Sequence, residues 1–348
     1  MITIAVAVWN VEKYLKTCVD SLLDQDSDDY EILLIDDGST DSSSRICDDY
    51  AKTTDKIRVI HQKRQGLAGV RNVSIENAKG DWICFVDGDD AVSSKLVSEF
   101  EKAIKQDVDI IFCGYKEVAD NSFIVKSMDK DIECTKIAFD IPRIRELCLF
   151  TYDSEICNSF RASTSWAKIY KLNFIKKHNL RFDLRGVYSQ DVIFNLLAYK
   201  DCQRVLFVNR KLYFYRVNMS AARNRYSENI LNAIVPIIQA VSENATWLIN
   251  SSDECKKRLG ARILAFTYKA IHCNCCHRDN PSLYVDRKQN YYKLLSEPII
   301  QSGLCLVDEA SLSKNDLVRF KIIKNGNFFI MNIYERFSDL YKKIKYKN

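Results

Sequence analysis

Glycine and proline are scarce in this 348-residue chain, with 10 of the first and 4 of the second. Long disordered linkers draw on both, so their scarcity argues against such linkers. No run of 18 or more uninterrupted apolar residues occurs, which speaks against a transmembrane helix. The opening Met1-Ile2-Thr3-Ile4-Ala5-Val6-Ala7-Val8 is apolar, with no basic stretch before it and no cleavage site after it. It reads as a first strand and not as a signal peptide. No G-x-G-x-x-G follows that strand, which disfavours a nicotinamide or flavin fold. No G-x-x-x-x-G-K-[ST] occurs, which disfavours a P-loop NTPase. Internal repeats and low-complexity segments are also missing.

What is present is ordinary globular material, 47% hydrophobic and 28% charged, long enough for two or three domains. Cysteine is abundant, at 13. The cysteines are scattered and follow no framework spacing, so they read as reduced thiols in a cytoplasmic protein. The net charge of +5 sits at one end. Residues 319–348 hold eight Lys or Arg against two acids, leaving 43 bases against 44 acids in residues 1–318. A near-neutral body argues against nucleic acid as a partner.

The first 115 residues alternate between strand and helix patterns. Strands are expected over 2–8, 31–35, 57–61, 81–86 and 109–115. Helices are expected over 12–23, 42–51, 68–78 and 94–105, with Asn10 able to cap the first and Thr40 or Asp41 opening the second. Single helices between strands imply parallel pairing with right-handed crossovers. Continuous apolar runs such as Ile32-Leu33-Leu34-Ile35 fit a sheet covered on both faces. Residues 116–220 are mixed, with helices near 144–149 and 190–197 and short strands over 205–208 and 212–216. From about residue 228 the pattern is helical. The expected division is 1–115, 116–220 and 221–348.

The polar motifs fall where strands end. Trp9-Asn10 follows the first, Asp36-Asp37-Gly38-Ser39 the second, Gln65-Gly66-Leu67-Ala68-Gly69 the third and Asp87-Gly88-Asp89-Asp90 the fourth. In an open parallel sheet these points share the carboxyl edge, where ligands bind. Three carboxylates in four positions repel one another. A divalent cation, Mg²⁺ or Mn²⁺, is one compensation; capping of the next helix is the other reading. Asp37 suits the N3–H of a uracil or similar base edge, or else caps the helix starting at Ser42. Gly66 and Gly69 permit close approach. Arg71, in the helix they open, either faces a diphosphate or lies on the surface. Asp87 suits ribose hydroxyls, and Asp89 suits the metal.

With these residues in view, the chain resembles family 2 glycosyltransferases, inverting enzymes with a GT-A fold. The resemblance rests on Ala7-Val8-Trp9-Asn10-Val11-Glu12-Lys13-Tyr14-Leu15, Ile35-Asp36-Asp37-Gly38-Ser39-Thr40-Asp41, Gly66-Leu67-Ala68-Gly69-Val70-Arg71-Asn72 and Phe85-Val86-Asp87-Gly88-Asp89-Asp90. Ser165-Trp166-Ala167-Lys168-Ile169-Tyr170-Lys171, Gln190-Asp191-Val192-Ile193-Phe194-Asn195 and Tyr213-Phe214-Tyr215-Arg216 extend it, over roughly residues 1–220.

The resemblance implies an α/β, GT-A-like (Rossmann-like), mostly parallel sheet flanked by helices, with a helical C-terminal region. It implies a nucleotide-sugar donor, for preference a UDP-sugar, held by Ala7, Val8, Asn10, Asp37, Gly66, Arg71, Asp87 and Gly88. It implies Mn²⁺ or Mg²⁺ on Asp89, a catalytic base at Asp191, and a saccharide or lipid-linked acceptor beside Trp166, Lys168 and Gln190. Two departures stand out. Ala7-Val8-Trp9-Asn10 lies where the family usually has Pro-Val-Tyr-Asn, and Gln190 where it usually has Glu; the second removes a charge that could raise the pKa of the base. By its residues alone, Asp191 could equally be a helix N-cap and Trp166 a core residue.

Other readings are a non-catalytic nucleotide-sugar-binding partner and a sugar nucleotidyltransferase. The latter would want a Gly-rich basic loop after the first strand, which Trp9-Asn10-Val11 does not supply. At the C-terminus Ile330, Ile333, Tyr334, Phe337, Leu340, Tyr341 and Ile344 recur at helical spacing beside Arg336, Lys342, Lys343, Lys345 and Lys347. Such a helix suits an anionic membrane surface on the cytoplasmic side, or packs on the protein's own core. The run His272-Cys273-Asn274-Cys275-Cys276-His277 invites zinc, yet its spacing matches no standard zinc pattern.

Overall fold

The computed structural model describes residues 1–120, 123–129, 140–150, 160–185, 189–217 and 225–345. The chain packs as two compact units, Met1–Cys148 with Asp153–Asn218, and Leu149–Tyr152 with Met219–Asn348.

The first unit is built on a sheet of eight described strands. They are β1 (Ile2–Val8), β2 (Tyr30–Asp36), β3 (Ile57–His61), β4 (Trp82–Asp87), β5 (Ala91–Val92), β6 (Ile110–Ala119), β7 (Lys168–Lys171) and β8 (Val205–Val217), in the order β3-β2-β1-β4-β7-β6-β8-β5. Strands β1 to β4 are parallel, joined through α1 (Glu12–Leu23), α2 (Ser43–Ala51) and α3 (Gly66–Asn77). Their side chains alternate between two apolar layers. Ile2, Ile4, Val6 and Val8 pack with Leu15, Cys18, Val19 and Leu22 of α1. Leu33 and Ile35 of β2 pack on the other face with Val70 of α3. Each such side chain contributes about 1.5–3 kcal/mol by leaving water.

Strand β7 enters between β4 and β6, antiparallel to both, and β5 is antiparallel to β8. Neither is expected from the sequence, because two- and four-residue strands are too short to show a period. The strands expected at 205–208 and 212–216 are one strand, β8, which pairs in parallel with β6 through register shifts around Gly114. Strand β6 runs across position 115, so the two expected halves of the N-terminal region share one sheet.

The start of α1 also differs from expectation. Its orphan N–H groups are met by the α2 loop and not by Asn10. Val11 N donates to Ser43 Oγ at 2.9 Å, and Glu12 N to Asp41 Oδ2 at 3.1 Å. Glu12 Oε2 accepts from Ser42 N at 2.9 Å in return. The remaining described α-helices of the first unit are α4 (Leu96–Ala103), α5 (Val125–Met128), α6 (Ile141–Leu149, its last residue in the second unit), α7 (Leu172–Lys177) and α8 (Gln190–Asp201).

The second unit contains α9 (Ile230–Ile249), α10 (Asp253–Ala270), a π-turn (Ile271–Cys275), α11 (Tyr284–Ser296), α12 (Pro298–Cys305), α13 (Lys314–Asn325) and α14 (Phe328–Lys345). No described helix is long and apolar enough to cross a membrane. His272 lies in the π-turn with its Nδ1 2.5 Å from Glu335 Oε2, and His277 Nδ1 accepts from Asp279 N at 3.1 Å. Burial pushes the Cys275 thiol up to about 12. Among the described residues, no group of three or more His, Cys, Asp and Glu side chains is placed to hold a metal ion.

Candidate active site

Register brings the strand ends together. Val8 is paired with Asp36, Asp36 with His61, and Ala7 with Asp87. The residues that follow β1, β2, β3 and β4 therefore leave the sheet at one edge. Asn10 adopts a left-handed φ of 52°, which asparagine tolerates. Its Oδ1 accepts from Thr40 N at 2.8 Å, which fixes the Gly38–Asp41 loop against the end of β1.

Asp37 is buried, and its carboxylate caps α3. Oδ1 accepts from Gln65 N at 2.7 Å and Gln62 Nε2 at 2.7 Å, and Oδ2 accepts from Gly66 N at 2.8 Å. It thus caps a helix, though not the one at Ser42. An anion at a helix N-terminus is favoured by the unpaired N–H groups there. Gly66 has φ +79°, and a Cβ there meets nothing within 4 Å, so backbone conformation rather than space selects glycine. Gly88 is selected by space. A Cβ there would lie 2.7 Å from Ala7 O, the carbonyl that accepts from Gly88 N at 3.0 Å.

The acid turn is anchored from β8. Tyr213 Oη donates to Asp90 Oδ2 at 2.6 Å and accepts from Asp87 N at 3.2 Å. Arg216 donates from its backbone N to Asp90 Oδ1 at 2.8 Å and from Nε to Asp89 O at 2.7 Å. Burial pushes the Asp90 carboxyl well above the usual carboxylate range, with Asp89 and Asp87 adding to the effect. Asp87 and Asp89 are half-buried.

Arg71 is 2% exposed and joins two carboxylates. One N–H₂ group is in short contact with Asp191 Oδ1, and the other donates to Asp87 Oδ1 at 3.1 Å. Burial raises the pKa of Asp87; Arg71 opposes that rise and Asp191 adds to it. Asp191 is in the first turn of α8, behind the N-cap residue Ser189, so it is not itself the N-cap. Ser165 Oγ donates to Asp191 Oδ1 at 2.9 Å.

Ser165, Asp90, Tyr213 and Arg216 all lie within motifs the sequence brings to notice, yet the contacts they make here are not legible from those motifs. The available signal was the alternation in Tyr213-Phe214-Tyr215-Arg216, which puts Tyr213 and Tyr215 on one face of a strand.

The three residues expected at the acceptor are all buried. Trp166 stacks on Tyr213 at 4.9 Å and Tyr215 at 5.3 Å, with Tyr115 edge-on at 5.0 Å. Lys168 Nζ donates to Arg161 O at 2.7 Å and is in short contact with Thr164 O, and burial lowers its pKa to about 7. Gln190 opens α8 beside Asp191. A cavity of about 640 Å³ lies in the second unit, lined by Tyr292, Leu304, Phe320 and Ile323 among others. None of the residues expected to bind the donor lines it.

The acid turn offers carboxylate oxygens, the hard donors that Mg²⁺ and Mn²⁺ prefer. It makes no all-protein cage. Half-buried Asp89 beside Asp87 fits a metal that takes one or two carboxylates and completes its shell with phosphate oxygens and water.

Acids and a helix N-terminus lie together at the carboxyl edge of an open sheet, the edge where ligands bind in such folds, and the comparisons with known proteins identify the class. The family model described as glycosyl transferase family 2 matches residues 3–163. The putative glycosyltransferase EpsH of Bacillus subtilis is 30% identical over 312 residues, which is 87% of this chain and 85% of that one. The chain belongs to glycosyltransferase family 2 and is a glycosyltransferase. The poly(ribitol-phosphate) beta-glucosyltransferase of Bacillus spizizenii is 27% identical over 69% of this chain and 36% of its own length. Among solved structures, residues 1–349 of S. aureus TarS in complex with UDP match with a TM-score of 0.56 at 18% identity, over 100% of this chain and 93% of that one. At that identity the likeness shows the fold.

Proposed function

We propose that the chain moves a sugar from a UDP-sugar to a hydroxyl of a growing bacterial surface polysaccharide or lipid-linked glycan, inverting the anomeric carbon. The observation that carries this reading is the double attachment of Arg71, which ties the candidate base Asp191 to Asp87 of the acid turn. UDP is supported by the complex of the TarS neighbour, and a glycopolymer acceptor by the name of the Bacillus spizizenii relative. A peripheral position on the cytoplasmic face of a membrane, beside a lipid-linked acceptor, belongs to the same reading.

On the donor side, Ala7, Val8, Asn10, Gly66 and Gly88 shape the edge, and Asp87 takes the ribose hydroxyls. Three of the roughly four acceptor positions of the Asp37 carboxylate are used by α3 and Gln62, and the fourth takes the N3–H of uracil. Arg71 acts as a positioning residue; it is buried and joins two carboxylates, so we do not assign it to the diphosphate. A divalent cation on Asp89, Mn²⁺ or Mg²⁺, supplies Lewis-acid stabilisation to the leaving diphosphate when bound.

Arg71 and Ser165 both bind Oδ1 of Asp191, so Oδ2 is the oxygen we assign to the acceptor hydroxyl. It takes the proton as the acceptor oxygen bonds to the anomeric carbon and the bond to the diphosphate breaks. A single displacement on an α-linked donor gives a β-linkage. Trp166, Lys168 and Gln190 are all buried, so in this reading they lie behind Asp191 and do not contact the acceptor.

Asp191→Asn tests the assignment. Transfer should fall by roughly 10²–10⁴-fold, the usual contribution of a general base. UDP-sugar affinity by calorimetry should hold. Equal turnover in variant and parent would remove Asp191 from the mechanism.

A further inference from the structure

Helix α14 has two apolar faces where a surface helix needs one. Phe328 and Met331 are buried in the second unit, Phe328 against the rings of Tyr284 and Tyr291 at 5.2 and 5.3 Å. Glu335 is buried on the same side, against His272. On the outward side Phe329 is 61% and Phe337 68% exposed, with Ile330 and Ile333 also exposed between them. Positions 330, 333 and 337 are three and four apart, so these side chains form one stripe. Scattered exposed apolar residues are normal on a protein, but a contiguous stripe of four marks an interaction surface. Leu283 and Val285, which flank Tyr284 beside Phe328, are exposed as well.

Charge identifies the occupant. Residues 319–348 carry eight Lys or Arg against two acids, while the rest of the chain is close to neutral. Arg336 is exposed within the stripe's own stretch of helix. A second copy of this chain would bring the same basic run against itself, whereas anionic lipid headgroups complement it. We propose that the outward face of α14 lies in the interface of an anionic bilayer, with Phe329, Ile330, Ile333 and Phe337 at the acyl boundary and Arg336 on the headgroups. Amphipathic basic helices bind membranes through this combination of buried apolar area and charge. The inference deepens the membrane-peripheral part of the proposed function, and it gives that part a surface and a lipid chemistry.

The test is flotation of the full chain with vesicles of phosphatidylcholine alone, and with vesicles containing about one-third phosphatidylglycerol. Binding should require the anionic lipid and weaken with salt. Phe329→Ser with Phe337→Ser should lower partitioning about 100-fold, roughly tenfold per ring. Arg336→Gln should lower it about fivefold. Melting temperature and nucleotide release from UDP-sugar in vesicle-free solution should not change, so failure here is separable from failure of the transfer reading. Equal binding to neutral and anionic vesicles, equal binding of variant and parent, or no binding by the parent each overturns the proposal. So does a parent dimer in sedimentation that the double variant dissolves, which would give the stripe to a second copy.

Discussion

Replacing Arg71 by methionine removes the cation that joins Asp191 to Asp87. Methionine keeps much of the length of the side chain and removes its charge and all five of its donors. Asp191 and Asp87, both half-buried, then share one site with no cation between them. Removing one partner of a buried ion pair costs about 3–5 kcal/mol, because the charge left behind stays out of water. Phe182 and Phe85 lie 5.4 and 6.0 Å from the guanidinium, so water does not easily replace it. We therefore predict that Arg71→Met loses about 3–5 kcal/mol in urea unfolding. Its kcat should fall further than the donor KM rises, since the candidate base loses its bearing while Asp37 and Asp90 keep their own hydrogen bonds.

Two further variants separate charge from shape. Arg71→Lys restores the charge as a point and not as a fork, and it should recover stability without recovering kcat. Adding Asp87→Asn to Arg71→Met removes one of the two facing charges and should return about 1 kcal/mol or more. A methionine variant that loses less than about 1 kcal/mol and keeps its turnover would refute the reasoning, since it would show both carboxylates to be adequately solvated without the arginine.

Ser165→Ala deletes a hydroxyl that donates to Asp191 at 2.9 Å, and kcat should fall by about tenfold to 100-fold with donor affinity intact, read by steady-state kinetics and calorimetry. Gly88→Ala places a Cβ 2.7 Å from Ala7 O, so the acid turn must move; about 1–3 kcal/mol of stability and much of the Mn²⁺-dependent UDP affinity should be lost, read by thermal melts and calorimetry. The pKa of His61 is raised from 6.5 by hydrogen bonds to Asp36 and then Asp48. Its stabilising contribution is full below pH 6.5 and disappears as pH rises through the raised value. His61→Gln should therefore flatten a decline in stability just above pH 6.5, by less than about 1 kcal/mol because the ring is largely exposed, as read from urea midpoints across that range.

Much of the carboxyl edge is legible in the sequence because its logic is local. A strand that ends in Asp36-Asp37-Gly38 or Asp87-Gly88-Asp89 carries its acids to the carboxyl edge whatever the rest of the chain does, and parallel register then aligns Val8, Asp36 and Asp87. The partners of those acids are a different matter. Asp37 spends its oxygens on the backbone N–H groups of Gln65 and Gly66, which leave no mark in a sequence. Asn10 turns from the helix it precedes to Thr40, thirty residues on. Trp166 shows its type but not that Tyr213 and Tyr215 sit on its ring.

The candidate base is the hardest residue to find for the same reason. Nothing within α8 separates Asp191 from a helix-opening acid. Its character comes from Arg71, 120 positions earlier, and from Ser165, which directly precedes Trp166 and its bridge to Phe85. That bridge lies beside β7, the four-residue strand that the pattern of apolar residues does not reveal. The insertion of β7 between β4 and β6 is thus what carries Ser165 to the Asp87 end of β4. A change that dislodged β7 should uncouple Asp191 from the donor edge while leaving β1 to β3 and their acids in place.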